Sequence, residues 1–200
     1  MKARNASDRL CFLTDFSGGE ERLRSFLSAG ISWVQYRDKN SCRRVIYERA
    51  LKIRALTYEF DAVFIVNDHA DIAAAVDADG VHLGQEDLPI DAARKIVGQR
   101  VIGISTHSVS EASMAVAAGA DYIGFGPIFP TTTKDAGTPK GMEALRQICQ
   151  QFSIPVVAIG GITADRCPEL MAAGVWGIAV ASALSGGDPE HTVSCFLRAL

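Results

Sequence analysis

Short apolar runs recur along this chain, separated by longer stretches in which polar residues return every third or fourth position. The runs cover residues 10–14 (LCFLT), 31–36 (ISWVQY), 63–66 (VFIV), 80–83 (GVHL), 101–105 (VIGIS), 121–125 (DYIGF), 155–159 (PVVAI) and 176–180 (WGIAV). They are short and rich in β-branched residues, as strands buried on both faces should be. The intervening segments predict helices over about residues 20–28, 42–60, 71–78, 89–97, 108–118, 142–152, 163–174 and 189–200. Gly30, Gly119 and Gly174 stand where three of them stop, and Ser41 is placed to cap the second. Strict alternation of strand and helix predicts a parallel α/β sheet, and eight repeats predict its closure into a (β/α)8 TIM barrel. The barrel is expected to fill residues 1–200 as one domain, with 1–9 as a flexible amino-terminus. An open dinucleotide-binding sheet fits less well. Its first strand-to-helix turn would carry G-x-G-x-x-G, and here that turn reads Thr14-Asp15-Phe16-Ser17-Gly18-Gly19.

The centre of the chain carries the first chemical signal. Strands 63–66 and 80–83 are joined through an alanine-rich helix, so they should lie parallel with a right-handed crossover. Asn67-Asp68 and Gln85-Glu86-Asp87 then emerge at the same end. Two carboxylates there suit a hard cation, such as Mg2+, that also meets a phosphorylated ligand. The other strand ends extend the list. The second strand ends in Gln35, Arg37 and Lys39, alternate residues that point one way. The fifth ends in Ser105, Thr106 and His107. The sixth runs into a long loop with Thr131, Thr133 and Lys134, and the last two end in Gly160-Gly161 and Ala181-Ser182. Arg37, Lys39 and Lys134 with nearby hydroxyls suit a diphosphate. Gly160-Gly161 with Ala181-Ser182 suits a monophosphate held by backbone N–H groups. Each piece has a plainer reading on its own: Asp68 as a helix cap, Gly160-Gly161 as a turn, Arg37 and Asp38 as a surface ion pair.

Bulk composition narrows the classes. A net charge of −3 without a basic cluster argues against nucleic acid. No apolar run reaches transmembrane length, and residues 1–10 lack a signal-peptide core. Five cysteines without C-x-x-C read as reduced thiols of a cytoplasmic protein. Nothing in the sequence sets the oligomeric state, and a homo-oligomer stays open.

Taken together, VQYRDK, VNDHADIA, ADGVHLGQEDLP, GIST, GPIFPTTTK, AIGGI and ASA, in this order, resemble the thiamine phosphate synthases from residue 10 onward. The resemblance implies Mg2+-dependent transfer of a hydroxymethylpyrimidine group from its diphosphate to the ring nitrogen of a thiazole phosphate, with release of pyrophosphate. It implies that Gln35, Arg37, Lys39, Asn67, Ser105 and Lys134 bind the pyrimidine diphosphate, with Arg37, Ser105 and Lys134 closest to the chemistry. Asp68 and Asp87 would hold the metal. Thr131, Thr133, Gly161, Ala181 and Ser182 would bind the thiazole phosphate. The loop at 127–140 would close over the substrates. A thiazole tautomerase of the same fold typically carries His where this chain has Pro127. A non-catalytic regulatory relative would be expected to lose the metal carboxylates.

Overall fold

Each of the eight apolar runs forms a strand: β1 Leu10–Thr14, β2 Trp33–Tyr36, β3 Val63–Asn67, β4 Gly80–Leu83, β5 Val101–Thr106, β6 Tyr122–Phe125, β7 Val156–Ile159 and β8 Gly177–Val180. The computed structural model describes residues 6–131 and 137–200. Every strand pairs parallel with the next, and β8 pairs with β1, so the sheet is a closed barrel. Among the described residues the helices are α1 Gly19–Ser28, α2 Arg43–Glu59, α3 Ala70–Ala75, α4 Ile90–Val97, α5 Val109–Ala117, α6 Gly141–Gln151, α7 Cys167–Ala172, α8 Ser182–Ser185 and α9 Pro189–Ala199. This is the (β/α)8 TIM barrel expected from the alternation. Three local readings differ. Ala6–Arg9, expected within a flexible terminus, form a 3-10 turn. A single-turn helix, α8, follows β8 where a plain connection was expected. β2 begins at Trp33, because the N–H of Ile31 is already committed to Phe26 O at 3.1 Å in the turn out of α1.

Side chains alternate across each strand, so the barrel has an outside and an inside core. Outward residues such as Val34, Phe64, Ile102 and Ile123 pack with helix residues such as Phe26, Ile53 and Leu145 in one large cluster. Burial of each such side chain stabilises the fold by about 1.5–3 kcal/mol, against about 0–1 kcal/mol for an exposed ion pair. The helices are therefore held on by this layer. Inward residues Cys11, Leu13, Trp33, Ile65, Tyr122, Val157 and Ala179 form a separate cluster. Trp33 lies edge-on to both Tyr122 and Trp176, with ring centroids 5.8 and 5.7 Å away. Inward glycines on β5 and β6 make room for large neighbours. A Cβ at Gly103 would stand 2.1 Å from Tyr122 Cζ.

A repeated lock closes the amino-terminal rim. Asp79, just before β4, accepts from Phe64 N–H of β3 at 2.7 Å and from Arg54 of α2 at 2.8 Å. Asp121, just before β6, accepts from Ile102 N–H of β5 and from Arg94 of α4, both at 2.8 Å. One carboxylate thus ties a strand, the helix before it and the next strand, twice over.

Candidate functional site

At the carboxyl-terminal rim the β3 and β4 loops meet. The Asp68 and Asp87 side chains lie within hydrogen-bonding reach of each other. Burial raises the Asp68 carboxyl above the usual carboxylate range, and the neighbouring Asp87 pushes it further; Lys39 opposes both. Lys39 Nζ stands 3.3 Å from Asp68 Oδ2, and Asn67 donates its amide N–H to Asp68 Oδ1. Asp87 Oδ2 accepts from Gly84 N–H at 2.7 Å. Asp68 does not cap α3: its φ is +66°, and His69 stands at the N-cap position, with no side-chain cap. Among the described residues no third Asp, Glu, His or Cys completes a metal cluster. Two converging carboxylates nevertheless fit Mg2+, which takes one or two of them and fills its octahedron with water and phosphate oxygens. The like-charge conflict at Asp68 is one that a cation would relieve.

The β2 loop that carries Arg37 and Lys39 is organised from below by Asp38. Its carboxylate accepts from Asn40 N–H and Ser41 N–H at 3.0 Å each and from Arg49 at 2.6 Å. Burial works to raise its pKa, but hydrogen bonds from Ser41, Asn40 and Tyr36 outweigh that, and it sits below the usual range. Asp38 is therefore a strut within its loop, and its ion pair is made with Arg49. Ser41, expected to cap α2, instead accepts from Arg49 at 3.2 Å, and α2 starts without a side-chain cap.

Beneath the rim lies a polar floor. His82 Nδ1 is 2.8 Å from Tyr122 Oη, and His82 Nε2 is 2.9 Å from Ser105 Oγ. Burial pushes the Tyr122 hydroxyl well up, helped by Cys11 and opposed by the Gln35 side chain, which hydrogen-bonds it. A neutral imidazole donates at one ring nitrogen and accepts at the other, so His82 links the Tyr122 and Ser105 hydroxyls into one line of hydrogen bonds. Gln85 adds a bond from its amide to Ser105 O at 2.6 Å.

Burial depresses His82 to about 4; Asp87 works against this and Arg37 with it. The folded state therefore stays neutral at His82 while the unfolded chain protonates near 6.5. Stability from this group is full above that value and is lost as pH falls toward 4. Between pH 7 and 5, in metal-free buffer, this amounts to about 2 kcal/mol. Urea unfolding of wild type and His82→Gln at both values should show it as a pH-dependent difference. An identical difference at pH 7 and pH 5 would remove the assignment.

A cavity of about 700 Å3 opens beside this floor. Of the strand-end residues singled out in the sequence, Arg37, Ser105, Thr106, His107, Thr131, Gly160, Gly161, Ala181 and Ser182 line it. Gln35, Lys39, Asn67, Asp68 and Asp87 do not line it; they stand at the ends of β2, β3 and β4 on the same rim, where Lys39, Asn67 and Asp87 meet around Asp68. Thr133 and Lys134 lie outside the described residues. The expected closing loop is fixed at both ends. Ile128 N–H and Phe129 N–H donate to Ile159 O and Gly160 O at 2.8 and 3.1 Å, and Lys140 N–H donates to Pro127 O at 2.7 Å. Sequence reasoning did not single out His82, which lies within β4, or Tyr122, which opens β6. It also missed the β1 loop, whose Phe16, Ser17 and Arg22 line the cavity. A signal for His82 was present: an imidazole inside a short apolar strand, with glycines at 103 and 124 on the next two strands.

A family model described as thiamine monophosphate synthase matches residues 11–184. The thiamine-phosphate synthase of Chloroflexus aurantiacus is 50% identical over 172 residues, 86% of this chain and 80% of that one. That of Pyrococcus furiosus is 48% identical over 178 residues, 89% and 86% of the two chains. The solved thiamine phosphate pyrophosphorylase from Pyrococcus furiosus aligns with a TM-score of 0.89 at 43% identity, over 97% of this chain and 96% of its own. A 3-hexulose-6-phosphate synthase, at a TM-score of 0.74 and 16% identity, shares the fold alone. Matched over most of its length by that family model and by relatives near half identity, the chain belongs to the thiamine monophosphate synthase family.

Proposed function

We propose that this chain is a thiamine phosphate synthase that uses Mg2+, joining hydroxymethylpyrimidine diphosphate to the thiazole phosphate and releasing pyrophosphate. What supports this reading is one barrel rim that carries two unlike groups of residues. An acidic pair flanked by Lys39 stands at the ends of β3 and β4. A glycine turn beside Ala181 and Ser182 stands at the ends of β7 and β8 and lines the cavity. A diphosphate with a metal suits the first, and a monophosphate held by backbone N–H groups suits the second.

Asp68 and Asp87 would hold Mg2+, which when bound neutralises the leaving diphosphate. Arg37, Lys39 and Lys134 supply further positive charge to the same oxygens, and Ser105 turns its hydroxyl toward them. Gln35, buried on β2 and hydrogen-bonded to Tyr122, presents its amide to the pyrimidine, with Asn67 at the end of β3. The C–O bond to the diphosphate breaks first, its electron pair leaving with pyrophosphate. The aminopyrimidine ring carries the resulting positive charge, and the lone pair of the thiazole nitrogen forms the new C–N bond. Thr131, Thr133, Gly161, Ala181 and Ser182 hold the thiazole by its phosphate so that its nitrogen faces the cationic carbon. No protein nucleophile is required; positioning and fixed charge do the work.

An end-point assay with both substrates and Mg2+, read by oxidising the product to fluorescent thiochrome, tests this. Product that disappears with EDTA is the expected result. No product from folded protein that still binds the thiazole phosphate would overturn it in favour of a tautomerase or a binding protein.

A further inference from the structure

Three successive carbonyls at the end of β7 are tied down by groups outside it. Ile159 O and Gly160 O accept from the N–H groups of Ile128 and Phe129, at 2.8 and 3.1 Å. The third, Gly161 O, accepts from Arg166 Nη1 at 2.8 Å. The same guanidinium lies over the Phe129 ring, 4.0 Å from its centroid. Arg166 therefore joins the loop after β7 to the loop after β6 by two contacts, both half-buried.

The glycine turn needs such a restraint. Gly160 and Gly161 have φ of +97° and +63°, and glycine crosses between the two halves of the map at little cost. A Cβ at Gly161 would stand 2.4 Å from Pro130 O, so no larger residue could stiffen the turn from within. Peptide planarity then links the carbonyls to the donors. In a trans peptide the N–H lies opposite the preceding C=O. Holding Gly160 O fixes the direction of the Gly161 N–H, and holding Gly161 O fixes that of Ile162. Both residues line the cavity.

We propose that Arg166 is a positioning residue for the monophosphate of the thiazole substrate. It acts by locking the Gly161–Ile162 peptide against Phe129, so that the N–H groups of the turn are already aimed when the phosphate arrives. It touches neither substrate. This rests on the function proposed above. The lock governs recognition of the phosphate and leaves the bond-breaking step alone.

Wild type is first assayed with both substrates, which tests the function itself. Arg166→Met keeps an apolar stem over Phe129 and removes the donor. It should raise KM for the thiazole phosphate about tenfold, as expected for one lost charge-assisted bond. KM for the pyrimidine diphosphate and kcat should stay within about twofold. Arg166→Lys, which can still donate to Gly161 O, should recover much of the loss. Calorimetry gives an independent readout. The preference for the thiazole phosphate over its unphosphorylated alcohol should fall about tenfold in Arg166→Met. If Arg166→Met fails to fold, Phe129→Leu, which removes the ring under the guanidinium but keeps an apolar side chain against the core, should give a smaller loss of the same preference, about threefold. An unchanged preference, or both KM values rising together, would overturn the proposal. An inactive wild type whose phosphate preference still depends on Arg166 would instead sink the synthase reading and leave this one standing.

Discussion

Asp68→Asn and Asp87→Asn should each lower kcat/KM by about 100-fold or more and raise the Mg2+ concentration needed for half-maximal rate, the scale seen when one preorganised charge contact to a transition state is removed. The metal-free Asp68→Asn protein should be at least as stable as wild type. The reason is that the native carboxylate is held where burial and Asp87 both oppose its charge, and asparagine removes that conflict while keeping the left-handed backbone that Asp68 adopts at φ +66°. Activity and stability should therefore move in opposite directions, which a general loss of structure could not produce. Asp68→Ala serves as a contrast. It lacks a polar side chain suited to that backbone, so it should lose activity and about 1 kcal/mol of stability as well. Steady-state kinetics over a magnesium series, with melting curves in EDTA, measure both. Full activity with an unchanged magnesium response in both asparagine variants would remove the metal assignment.

The second large effect concerns a glycine distant from the rim charges. Gly103→Ala puts a methyl group 2.1 Å from Tyr122 Cζ and 2.5 Å from its hydroxyl oxygen. Tyr122 is fully buried, packed edge-on to Trp33 and bonded to His82. The ring must move, and the line of hydrogen bonds ending at Ser105 breaks with it. Overpacking of this kind costs about 1–3 kcal/mol, and turnover should fall by about 100-fold, as for a lost transition-state donor. The check is a double-mutant cycle. Tyr122→Leu alone creates a cavity and also costs stability, but in that background Gly103→Ala should cost almost nothing. Additive losses would show that Gly103 matters for some reason other than room for Tyr122.

These two sites differ in how far the sequence betrayed them. Asp68 and Asp87 could be read because each is an acidic residue just past a short apolar run, and parallel strands must put those ends together. The same logic found Arg37, Ser105 and Gly161. It failed for Tyr122 and His82, which sit within the runs. There the question is whether a side chain faces the barrel axis or the helices, and parity in one strand has meaning only against the register of its neighbours. Gly103 is opposite Tyr122, and His82 opposite Gly103, only because β4, β5 and β6 pair in the observed register. Asp38 was hidden differently. Its partner Arg49 lies eleven positions on, in the second turn of α2, and only the fold of the β2 loop brings the two together. The short helix α8 has no apolar period of its own to announce it.

The locks at Asp79 and Asp121 have a bearing on how such a protein changes over generations. Each secures its strands from the rim that no substrate reaches, with an arginine and a backbone amide that play no part at the mouth. The frame is thus specified by residues that natural selection can hold constant while the opposite loops are rewritten. A lineage could exchange one phosphorylated substrate for another and inherit the scaffold intact.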